Sequence, residues 1–186
     1  MKIAIIGWGS LLWDPRELPR EGIWQEDGPI LKIEFSRVSR DCRLTLVVDE
    51  NNGVEVKTRF VLSPRSDIED AINDLRIREG TKKKWIGYAD FKHDQDSLSY
   101  NPNQVNICEN VKNWCRDKGF DAAVWTALLP NFFEETKLKF SVHNALKYIE
   151  SLPKSADKNA LKYIQNAPSE IVTPLRSKLI ALKLIE

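Results

Sequence analysis

The order of hydrophobic periodicities along the chain limits its possible folds more than any other feature. Across residues 2–91 the runs IAIIG, ILKIEFSRV, RLTLVVD, VEVKTRFVL and KWIGYADF read as β-strands, several alternating apolar and polar residues as a half-buried strand does. Between two of them Asn51-Asn52-Gly53 predicts a hairpin turn, because Asn and Gly tolerate positive φ. From about Asn101 onward the period becomes helical. The predicted helices cover residues 104–118, stopping at Gly119, then 141–152, then 157–166 ahead of Pro168. A last helix starts at Thr173-Pro174, where Thr suits the N-cap and Pro the first turn. AAVWTALLP, between the first two helices, reads as a strand rejoining the sheet. Strands first and helices afterwards predict an α+β fold: a small mixed β-barrel or strongly curved sheet with surrounding helices and a helical C-terminal part.

Composition narrows the function. With 186 residues and no linker or repeat, a single domain over 1–186 is expected. A hydrophobic content of 42% with a net charge of +1 leaves no basic footprint for nucleic acid. Cys42, Cys108 and Cys115 are odd in number and without C-x-x-C spacing, so neither a disulfide framework nor a zinc site is predicted, and a cytoplasmic setting fits. Cys108 and Cys115 share a helical face, which suits packing. His93 and His143 stand among polar neighbours with no ligand partner, and surface positions are expected for both. No metal or cofactor is expected. IAIIGWGSLLW is followed by Asp14-Pro15 and lacks a small-x-small cleavage site, so it reads as a buried strand and turn rather than a secretory signal. No apolar run reaches the roughly 20 residues that cross a bilayer.

The most informative segment is SDIEDAINDLRIREG. Ser66 with Glu69 predicts a capping box, and Gly80 takes the C′ position. The apolar stripe Ile68, Ala71, Ile72, Leu75 continues at i+4 onto Glu79. Burial and the negative end of the helix macrodipole both bias such a carboxyl toward its neutral form, as general acid/base work requires. The plainer alternative is an ion pair with Arg76, Arg78 or a lysine among residues 82–84. Arg37 falls on the same strand face as Leu31, Ile33 and Phe35, where it can hold a substrate carboxylate or simply turn out to water.

The loop GWGSLLW, residues 7–13, matches G-x-G-x-x-G only at its first two glycines, since Leu12 fills the third site. It is not a G-x-S-x-G elbow either, so Ser10 is not expected to be a nucleophile. A turn whose backbone N–H groups form an anion-binding nest is the remaining functional reading, beside a purely structural turn. Trp13, Trp85 and Trp125 are candidate cleft walls, with core packing the default.

Read together, the loop and Glu79 resemble the γ-glutamylcyclotransferase-like superfamily. That family carries Tyr-Gly-Ser-Leu after its first strand, matched here by Trp8-Gly9-Ser10-Leu11, and the Ile-Trp that follows in ChaC-like members is matched by Leu12-Trp13. The family's catalytic Glu precedes a Trp or Tyr strand, as Glu79 does in RIREGTKKKWIGYADF. The resemblance covers the chain up to about Phe91. It implies a γ-glutamylcyclotransferase-type enzyme that cyclises a γ-glutamyl compound to 5-oxoproline and releases an amine or amino acid. Glu79 would be catalytic, and Trp8, Gly9, Ser10, Leu11 and optionally Arg37 would bind the small-molecule substrate, with no partner among nucleic acids or membranes. Trp8 replaces the family tyrosine, and an indole only donates where a phenol also accepts. A non-catalytic ligand-binding or protein-interaction member of the same fold is the alternative.

Overall fold

The computed structural model of the chain describes residues 1–99 and 104–186. The predicted transition at Asn101 lies outside the described residues. The chain clusters into two compact units, one formed by Met1–Leu31 with Lys57–Leu128, the other by Lys32–Val56 with Leu129–Glu186. The fold is α+β, with two open sheets. Among the described residues neither sheet closes, so of the two forms expected, barrel or strongly curved sheet, the barrel is not formed.

The first unit is built on a six-stranded sheet. Its strands are β1 (Ile3–Gly7), β2 (Glu21–Gln25), β6 (Arg59–Leu62), β7 (Ile86–Asp90), β8 (Gln95–Asp96) and β9 (Ala122–Thr126), in the order β2-β6-β1-β9-β7-β8. β1 lies parallel to β9 and antiparallel to β6. AAVWTALLP thus rejoins the sheet, as expected, and the strand order puts it at the centre. β1 is buried along its whole length and β9 along nearly all of it, the mark of central strands covered on both faces. Helix α1 (Ile68–Glu79) covers one face through Ile68, Ala71, Ile72 and Leu75, which pack in one cluster with Ile3, Ile5, Val61, Ile86 and Val124. Helix α2 (Val105–Lys118) packs against β7 and β9 and buries Cys108 and Cys115. Burial pushes those thiols up to about 11 and about 12. His93 and His143 are exposed, as predicted.

The second unit holds a three-stranded sheet in the order β4-β3-β5, formed by β3 (Ile30–Val38), β4 (Leu44–Val48) and β5 (Val54–Lys57). Four helices follow: α3 (Phe132–Thr136), α4 (Val142–Ser151), α5 (Lys154–Gln165) and α6 (Pro174–Ala181). Ser141 caps α4 and Thr173 caps α6 through side-chain acceptors, both where the sequence placed them.

Three expectations are corrected. β4 and β5 flank β3 and do not pair, so Asn51-Asn52-Gly53 links them without forming a hairpin. Asp49 holds the turn by accepting from the backbone N–H groups of Asn51 and Asn52, and a Cβ on Gly53 would lie 2.6 Å from the Ile33 nitrogen. Close backbone approach, not hairpin geometry, is why glycine stands there. VEVKTRFVL is two strands, β5 and β6, in different sheets. They divide at Thr58, whose Oγ1 donates to the Pro29 carbonyl at 2.6 Å and whose own carbonyl accepts from Gly28. The N-cap of α1 is Asp67, one residue after Ser66: it has extended φ and ψ and accepts from the Glu69 N–H at 2.8 Å. Glu69 turns its carboxylate to Lys83 instead, so no capping box forms. Among the described residues no helix is long and apolar enough to cross a membrane.

Candidate active site

Helix α1 ends where the sequence predicted, with Gly80 at φ 60° and its N–H returned to the carbonyls of the last turn. The stripe that buries Leu75 therefore delivers two ionic residues to the same end. Arg78, three residues after Leu75, is only 6% exposed, and the Glu79 side chain only 14%. Arg78 Nη1 donates to Glu79 Oε1 at 2.7 Å. Of the alternatives open in the sequence, the ion pair with Arg78 is the one observed. Thr126, at the end of β9, donates its hydroxyl to the same Oε1 at 3.2 Å.

The other arm of Arg78 reaches the loop after β1. Its Nη2 donates to Ser10 Oγ at 3.2 Å and to the Asp14 carbonyl at 2.6 Å, while the Arg78 carbonyl accepts from Arg16. A guanidinium is a rigid planar fork, so Ser10 Oγ and Glu79 Oε1, one on each arm, lie within about 8 Å of each other. Among the described residues Arg78 Nε is buried without a partner. Arg78 is the residue sequence reasoning underrated. Its signal was present, since a stripe at 68, 71, 72 and 75 continues onto 78 as well as 79.

The loop itself is pinned from below. Leu11 and Leu18 sit in the core under α1, and Trp8 is 5% exposed, leaving Gly9 and Ser10 half-buried between them. Leu12 N–H donates to Gly9 and Asp14 N–H to Ser10, giving successive tight turns. Among the described residues the glycines with positive φ are Gly22, Gly80 and Gly119, so Gly7 and Gly9 do not supply the left-handed conformation of an anion nest. Gly7 is needed for space, since a Cβ there would lie 3.0 Å from the Trp24 ring. Trp13 and Trp85 are half-buried, and Trp125 is fully buried with its indole donating to Gln104.

Arg37 belongs to the second unit. Its Nη1 donates to the Leu129 carbonyl at 2.6 Å, and burial pushes the guanidinium below its ordinary range against the opposing pull of Glu135. Among the described residues no group of three or more His, Cys, Asp or Glu is placed to hold a metal ion.

Taken as a class, the chain is a two-unit α+β protein whose first unit carries an arginine-bridged serine and carboxylate beside a central strand. No protein-family model, curated protein or solved structure matches it.

Proposed function

We propose that the chain is a γ-glutamylcyclotransferase-type enzyme, closing a γ-glutamyl compound to 5-oxoproline with release of an amine or amino acid. One observation supports the reading above all: a single buried guanidinium ties Ser10, in the loop after β1, to Glu79, at the end of α1. In this reaction the substrate's α-amine attacks its own γ-carbonyl, so no protein nucleophile is needed. Holding the glutamyl chain folded supplies much of the rate, because well-oriented internal nucleophiles reach effective molarities of about 10⁵–10⁸ M. Glu79 takes the proton that the attacking nitrogen loses and returns it to the departing nitrogen. Ser10 binds: its Oγ accepts from Arg78, which leaves its hydroxyl proton for the γ-carbonyl oxygen or the α-carboxylate. Amides around Gly9, Ser10 and Leu11 are further donors, Trp8 shapes the turn beneath them, and Arg37 is not required.

The test is incubation with γ-glutamyl amino acids, γ-glutamylamines and glutathione, with 5-oxoproline measured by mass spectrometry. Glu79→Gln is expected to lose the product at least 100-fold while keeping the native far-UV circular dichroism spectrum and a cooperative unfolding transition at a lowered midpoint, in line with the usual contribution of a general acid/base. Full activity in that variant removes Glu79 from the chemistry. A second reading, ligand binding without turnover, draws on the engagement of Oε1 by both Arg78 and Thr126. Saturable binding of the γ-glutamyl panel with no 5-oxoproline decides for it.

A further inference from the structure

The second unit contains a cavity of about 710 Å³, within the roughly 300–1,000 Å³ of small-molecule sites. Its wall carries an unusual polar set. Ser36, on β3, is fully buried, and among the described residues its Oγ has no hydrogen-bond partner. A buried hydroxyl left unpaired is unfavourable, and in native proteins such a group calls for an explanation. Asp49, just after β4, is 2% exposed. Its carboxylate accepts from Asn51 and Asn52, and among the described residues no lysine or arginine pairs with it. Glu134 adds a second acid to the lining, against Lys139 as the one cation among the described residues there.

Pro130 and three phenylalanines complete the described lining. Phe132 is buried and meets Phe140 edge to face at 5.4 Å, while the adjacent Phe133 is 55% exposed. Two acids against one cation, an unsatisfied hydroxyl and phenyl rings together favour a ligand that is positive at one end and apolar at the other.

We propose that this cavity binds a small organic cation, a primary ammonium carried on an aromatic or aliphatic body. The ammonium donates to Ser36 Oγ and sits in the field of Asp49 and Glu134, and the body packs on Phe133 and Phe140. This site lies outside the group around Glu79 and does not depend on the cyclotransferase reading.

Phenethylamine is the probe, with 2-phenylethanol as its uncharged counterpart, both titrated calorimetrically into the full chain. The amine is expected to bind at one site at least tenfold more tightly than the alcohol and to weaken with added salt. Glu134→Gln, a surface change that leaves the fold alone, is expected to weaken it about tenfold, and Ser36→Ala several-fold. Asp49→Asn is read only after circular dichroism shows native helix content, because Asp49 also holds the 51–53 turn. No saturable binding up to about 10 mM amine, equal affinity for the alcohol, or an unchanged affinity in Glu134→Gln and Ser36→Ala overturns the proposal.

Discussion

Replacing Arg78 by methionine keeps the apolar stem inside the helix stripe and removes the charge. Glu79, its side chain 14% exposed, then loses a partner at 2.7 Å, and Ser10 and the Asp14 carbonyl lose a donor each. Breaking a buried pair from one side destabilises by about 3–5 kcal/mol, and the residual exposure of Glu79 places this case near the lower end, about 3 kcal/mol. The lost hydrogen bonds are not added separately, since they belong to the same side chain. At a urea slope of roughly 2 kcal/mol/M the unfolding midpoint drops by about 1.5 M. All six tryptophans (Trp8, Trp13, Trp24, Trp85, Trp114 and Trp125) fall in the first unit, so their fluorescence follows that unit's unfolding directly. Adding Glu79→Gln to Arg78→Met removes the stranded charge and is expected to restore about 1 kcal/mol or more relative to the sum of the single changes. A single variant within about 0.5 kcal/mol of wild type, or strictly additive variants, refutes the view that this pair is energetically coupled.

Three further outcomes are expected. Burial raises the Glu34 carboxyl above the ordinary 4.5, despite hydrogen bonds from Thr173 and the backbone of Phe35 and Leu175. Above 4.5 the folded state therefore holds more protons than the unfolded chain, so stability falls as pH rises from there through the folded value. Glu34→Gln should flatten that fall in urea titrations followed by far-UV circular dichroism. In Gly87→Ala the new Cβ would overlap the indole of fully buried Trp125 on the neighbouring strand, and a loss of about 3 kcal/mol or more is expected by fluorescence-detected unfolding. In native protein a thiol reagent should modify exposed Cys42 within minutes, and Cys108 and Cys115 only on unfolding, as counted by mass spectrometry.

Much of the local structure was legible. The ends of α2, α4 and α6 were marked by their own residues, Gly119, Ser141 and Thr173-Pro174, because capping is a local interaction. β2 was not legible: it is an edge strand whose residues are nearly all exposed, with Gly22 at φ 78°, so no alternation marks it. α3 is five residues long and too short to show a period. Glu79 stood out because its charge interrupted an apolar stripe. Arg78 did not, because a lone arginine on a helix is ordinarily solvated and only its partners reveal otherwise.

What the sequence determined by itself was the identity and direction of α1: its stripe, its termination at Gly80, and a carboxylate carried toward the core. These depend on contacts within a few residues and on a period of 3.6. What only the tertiary structure decided was which partners that carboxylate meets. Ser10 lies 68 residues from Arg78 and Thr126 lies 47 from Glu79, and the chain passes between two sheets at Thr58 before α1 begins. Strand order and long-range pairing are set by the summed burial of the whole sheet, so no short stretch such as GWGSLL could show that its serine shares an arginine with Glu79.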